Sequence, residues 1–144
     1  MKKFSLALFL INLGCSPPTG PTNPEYIPLP SMKVKPVDAN LQAIAEHWWP
    51  IQAACVGVEF KVIGSSYPIN VYEEAIDCSG IKAAGCMQYT SISVVRRWFE
   101  AALSHEFIHF ALWKKGGEEL GHSNPYFAKC DTLNYRASHQ IDVE

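Results

Sequence analysis

The stretch from about Val94 to Lys115 constrains this chain more than any other. At helical spacing Val95, Phe99, Ala102, Glu106, His109 and Trp113 fall along one stripe, and Leu103, Phe107 and Phe110 widen it. The polar positions Arg97, Glu100 and Ser104 form a narrow strip that Ile108 interrupts. A helix apolar over most of its circumference belongs at the centre of a domain, covered on several sides. Lys114 and Lys115 suit its last turn, and Gly116-Gly117 its end.

The other elements are read around it. Asp38 is an N-cap for a helix through Trp48, with Leu41, Ile44, Ala45 and Trp48 on one face and Pro50 just beyond its end. "GVEFKVI", residues 57–63, alternates Val58, Phe60 and Val62 with Glu59 and Lys61, the pattern of a half-buried strand. "SSYP", residues 65–68, reads as a turn before a shorter strand from Ile69 to Tyr72. Residues 77–86 read as a loop, and Cys86 to Ser91 as a third strand. Asn124 and Pro125 form an N-cap and first helical position, opening a last helix to about Arg136. The expected class is α+β: a small mixed sheet with an N-terminal helix, a central helix and a C-terminal helix, within residues 37–144.

Residues 1–36 read differently. Lys2 and Lys3 precede a short apolar run, Phe4 to Leu13, which ends at Gly14-Cys15. About ten apolar residues are too few to span a bilayer, and the layout is that of a secretory signal. Its ending resembles the lipobox of bacterial lipoproteins, which implies lipidation of Cys15 after removal of residues 1–14. Seven of the ten prolines then fall between Ser16 and Pro36, so residues 15–36 read as a lipidated cysteine and an extended tether. An arm packed on the domain through Tyr26, Ile27 and Leu29 is the competing reading of that segment. Ser16 after Cys15 lacks the Asp that retains many lipoproteins at the inner membrane, which implies an outer-membrane location, facing the periplasm or the exterior.

Cysteine usage agrees with export. Without Cys15 the chain holds Cys55, Cys78, Cys86 and Cys130, an even set that in an oxidising compartment implies two disulfides. Cys78 with Cys86 would close the intervening loop, and Cys55 with Cys130 would tie the start of the domain to its end. Loss of Lys2 and Lys3 takes the formal net charge from −2 to −4, ten cationic side chains against fourteen acidic. No basic stripe draws this chain to nucleic acid. A monomer is expected.

The central helix carries the chemistry. In "HEFIH", His105 and His109 stand four residues apart and project from one helical face, where they can hold one ion together. Glu106 is rotated from His105 by about 100° and stays near that face. A zinc held by three imidazoles keeps a fourth position for water and lowers its pKa to about 7, within reach of a carboxylate acting as general base. His122, thirteen residues past His109, is the candidate third ligand, and Asp131 the alternative, either as ligand or as a support for a ligand imidazole. A metzincin arrangement fails, because Leu112 and Lys115 stand where it needs Gly and His. Downstream glutamates are limited to Glu118, Glu119 and Glu144. His47 and His139 lack metal-like spacing and read as surface or capping residues.

Residues 97–133, and "HEFIHFALWKKGGEELGHSNPYFAKC" in particular, resemble the core of SprT-like zinc metalloproteases, including the Spartan proteases. Those carry His-Glu-x-x-His, a polar turn, then Gly-His-Gly and a Phe opening a helix. The resemblance implies a minimal zincin-like fold with His105, His109 and His122 on zinc, Glu106 as general base and Phe127 as a packing aromatic. Ser123 departs from the family's Gly, and the turn is shorter. It also implies an edge strand beside the helix, here Cys86–Ser91, that pairs with extended peptide substrate. Tyr126 and Tyr135 are candidate phenols near the site. Three functions follow as expectations: a lipid-anchored zinc peptidase acting on peptides or proteins, a zinc-binding envelope lipoprotein without turnover, and an amidase-type hydrolase of cell-wall peptides.

Overall fold

The computed structural model describes residues 27–58, 60–116 and 121–133. The chain runs β1 (Ile27–Lys35), α1 (Ala39–Val56), β2 (Phe60–Tyr72), β3 (Ile76–Cys78), β4 (Ile81–Ala83), β5 (Gly85–Met87), β6 (Ile92–Val95), a 3-10 turn (Arg96–Trp98), α2 (Phe99–Lys114) and α3 (Pro125–Cys130). One sheet has the order β1-β2-β6-β5, with β1, β2 and β6 parallel and β5 antiparallel on the edge. β3 and β4 form a separate hairpin. The mixed sheet with helices gives the expected α+β class.

The domain starts earlier than residue 37. Ile27–Lys35, expected within the tether, is a strand paired in register with β2 from Ile27↔Phe60 to Lys35↔Asn70. Met32 and Val34 point into the core while Lys33 and Lys35 face solvent, a two-residue alternation that the proline count obscured. Proline is tolerated on an edge strand, and the register slips between Leu29 and Ser31, on either side of Pro30. Gln42 of α1 seals this edge, its amide donating to Met32 O at 2.8 Å and accepting from Val34 N at 2.9 Å. Residues 1–26, with the signal-like run and Cys15, lie outside the described residues.

Other expected boundaries moved as well. α1 continues through Pro50 to Val56, because Trp49, Gln52, Ala53 and Val56 extend the buried face past the exposed proline. The lost backbone bond costs about 3 kcal/mol, and a single large apolar side chain fully buried returns a comparable amount. Asp38 caps the helix as expected, accepting from Asn40 and Leu41 N–H, each at 3.1 Å. Those bonds and Arg96 hold its carboxyl below the usual range. "SSYP" is no turn but the middle of β2, where Tyr67 is buried against Phe110 and its hydroxyl donates to Gln88 O. The central helix begins at Phe99, not Val94; "ISVV" is the buried strand β6, as its β-branched content suits. The expected loop 77–86 contains the β3–β4 hairpin, and the expected strand 86–91 divides into β5 and a turn into β6. α3 ends at Cys130, short of Arg136.

Both long helices lie on one face of the sheet. Trp49 packs on Phe107 and Phe110, while Ile69, Ile92 and Val94 meet them from the strands. Eleven residues of α2 are buried, so it is the central element its apolar circumference required. Cys55–Cys130 joins α1 to α3 with Cα atoms 5.9 Å apart, and Cys78–Cys86 ties β3 to β5 at 5.7 Å. Gln52 knits three helices together, its amide donating to Ser104 Oγ at 2.6 Å and Cys130 O at 3.2 Å.

Candidate metal centre

Helix α2 and the segment leading into α3 place three imidazoles. His105 and His109 sit one turn apart on α2, with ring centroids 5.1 Å apart. Gly116, with φ of 80°, lets the backbone turn out of α2 where a side chain would be strained. The chain returns at Gly121, and His122 precedes α3, whose start is set by the Asn124 side chain accepting from Tyr126 N at 3.1 Å. Phe127, on the first turn of α3 and almost fully buried, forms the floor. Its ring centroid lies 5.1, 4.5 and 5.0 Å from those of His105, His109 and His122.

The nitrogens converge. His105 Nε2 lies 2.9 Å from His122 Nε2, and His109 Nε2 lies 3.2 Å from His122 Nε2. A tetrahedral ion with bonds of about 2.0–2.1 Å to nitrogen separates its ligand atoms by about 3.3 Å, so these spacings approach that edge length. The three histidines can therefore hold one metal ion between them. His105 is wholly buried, His109 half-buried and His122 exposed, which leaves the site open on one side.

Asp131 lies behind His105. Its Oδ2 lies 3.0 Å from His105 Nδ1, both side chains are buried, and it meets the ring on the side away from the other histidines. A carboxylate there accepts the Nδ1 proton and keeps the Nε2 lone pair aimed at the convergence point. Asp131 is therefore placed to orient His105, and the converging nitrogens are those of the three imidazoles.

Glu106 is 5 % exposed and lies under β5. Burial pushes its carboxyl up to about 8, against a hydrogen bond from the Met87 backbone that lowers it. A Cβ on Gly85 would sit 2.7 Å from Glu106 Oε1 and 3.0 Å from its Cγ, so the strand can lie this close only as glycine. Gly85 carries no signal in "AAGCM" until β5 and α2 are brought together, whereas Met87 falls within the expected strand Cys86–Ser91. With the histidines and Glu106, strand β5 and the β3–β4 hairpin enclose a cleft of about 330 Å³.

The β5 edge is oriented for pairing. Ala84 O accepts from Val95 N, and Gln88 N donates to Ser91 O, each at 2.8 Å. By the two-residue alternation, Ala84, Cys86 and Gln88 bond toward β6, and the main-chain groups of Gly85 and Met87 point outward. The expected cradle is thus Gly85–Met87, not the whole of Cys86–Ser91.

The remaining candidates separate. Tyr126 points away, its hydroxyl accepting from Lys115 Nζ at 3.0 Å; that bond lowers its pKa. It does not line the cleft. His47 packs on Trp48 at the surface, with centroids 5.4 Å apart. Tyr135, His139, Glu118, Glu119 and Glu144 lie outside the described residues. Both cysteine pairs stand at disulfide distance in the expected combination. No protein-family model, curated protein or solved structure matches this chain.

Proposed function

We propose that this protein is a zinc-dependent metallopeptidase with His105, His109 and His122 as ligands and Glu106 as general base. The observation that carries the reading is that three imidazoles converge in one cleft with a buried carboxylate beside them, against a strand edge with outward main-chain groups. Three imidazoles, one oriented by Asp131, form a donor set suited to zinc. The similarity of residues 105–130 to the SprT-like core supports the same assignment. Zinc, when bound, supplies an acidified water and polarises the scissile carbonyl.

The chain's own residues do the rest. Outward main-chain groups of Gly85 and the Met87 carbonyl bind an extended peptide backbone by strand addition, while the Met87 N–H is held by Glu106. Glu106 accepts the proton of the attacking water as its oxygen bonds to the carbonyl carbon. The same carboxyl then returns that proton to the amide nitrogen as the C–N bond breaks. Burial raises the carboxyl's proton affinity, which strengthens it as a base once a bound dication favours its ionised form. Lipidation at Cys15 and attachment to the outer membrane belong to this proposal; a labelled fatty acid should appear on wild type and not on Cys15→Ala.

The decisive experiment pairs zinc quantification with a peptide-library digest of wild type and Glu106→Gln. Both proteins should bind about one zinc, and only wild type should cleave. Zinc without cleavage of any peptide would favour a non-catalytic zinc-binding lipoprotein. Cleavage confined to cell-wall peptides would favour the amidase-type hydrolase. Equal activity in both proteins would refute Glu106 as base.

A further inference from the structure

We infer that the β3–β4 hairpin makes this cleft selective for substrates with an apolar side chain next to the scissile bond. The inference rests on the peptidase reading and names the substrate class of the same site. The hairpin is held rigidly over the cleft. Its two turn residues, Ser79 and Gly80, have φ of 56° and 85°, the left-handed conformation of a tight two-residue turn. Asp77 Oδ1 accepts from Gly80 N at 2.7 Å and pins that turn. The Cys78–Cys86 disulfide bonds the hairpin to β5, the strand that borders Glu106.

The pairing decides which side chains face inward. Ile76↔Ala83 and Cys78↔Ile81 share one face, and Asp77↔Lys82 takes the other. Cys78, Ile81 and Ala83 all line the metal cleft, with Met87 beside them. The charged pair is turned away. Ile81 is 70 % exposed, a large apolar side chain displayed at the mouth of the cleft. Among the described residues, Glu106 is the sole carboxylate on this lining and no lysine or arginine contributes.

A substrate bound along β5 places alternate side chains on either side of its backbone, so one beside the metal meets this wall. An apolar side chain loses water against Ile81, Ala83 and Met87. A charged one loses water against a wall whose Ile81, Ala83 and Met87 offer it no ion pair. The expected discrimination in kcat/KM between Leu and Asp or Lys at that position is about ten- to a hundredfold.

The test uses the full-length, zinc-loaded protein and a peptide set in which one residue on each side of a single scissile bond is varied. Wild type should prefer Leu, Ile, Met and Phe on one of those sides. Ile81→Glu should shift the preference there toward Lys and Arg, and Ile81→Lys toward Asp and Glu, with zinc content unchanged. Because Ile81 is exposed, neither substitution disturbs the core. Cleavage with no apolar preference, or a preference unmoved in both variants, overturns this inference and leaves the peptidase reading standing. Failure of wild type to cleave any peptide overturns both.

Discussion

Replacing Glu106 by Gln should stabilise the metal-free protein, and increasingly so as pH rises. The folded carboxyl titrates at about 8, whereas the unfolded group titrates near 4.5. Between those values the unfolded chain has lost the proton that the folded chain keeps. Folding therefore costs more with each pH unit in that window, and the penalty vanishes below about 4.5. At about 1.4 kcal/mol per unit, the penalty reaches about 1 kcal/mol near pH 5 and about 4 kcal/mol near pH 8. Glutamine carries no such term. Denaturant unfolding of EDTA-treated, disulfide-intact wild type and variant at these two pH values isolates it, because the histidines are common to both proteins. The gap between them should widen by about 3 kcal/mol from pH 5 to pH 8. Parallel pH dependences would show that the carboxyl is not desolvated under β5, and would remove the basis for calling it a tuned base. A bound dication nearby favours the ionised form, so zinc should narrow the gap.

Other changes read the remaining parts of the site. Gly85→Ala drives a Cβ into Glu106 and should lower kcat about a hundredfold while zinc stoichiometry is retained, measured by steady-state kinetics with metal analysis. His122→Ala should abolish tight zinc binding. Asp131→Asn should weaken it about ten- to a hundredfold, with chelator competition as the readout. Removing Cys55–Cys130 opens a loop with a sequence separation of 75 residues. By chain entropy it should cost about 4 kcal/mol in denaturant unfolding, and it should loosen the α3 that carries Phe127.

How far the sequence reached depends on the range of the interaction behind each feature. The α2 histidine pair and its neighbouring glutamate were legible because helical geometry over five residues puts them together, whatever the rest of the fold does. The Asp38 and Asn124 caps were legible for the same reason, being bonds to backbone two or three residues away. The α+β class followed from periods of two and of 3.6. That the cysteines would pair followed from an even set of four, but these allow three pairings, and only the fold chose Cys55–Cys130 with Cys78–Cys86.

Tertiary structure alone decided what depends on burial. Pro50 could not mark the end of α1, because the apolar face beyond it gains more from packing on α2 than the proline loses. Proline-rich Ile27–Lys35 could become a strand because β2 and Gln42 supply the partners that its composition concealed. Residues distant in sequence decided the site as well. His122 joins the helix pair from farther along the chain, Asp131 meets His105 from behind, and Gly85 makes room for Glu106. Local spacing dictates which groups share a helix face. Which carboxylate supports a ligand, and which is starved of water, is set by long-range packing that no short window of sequence contains.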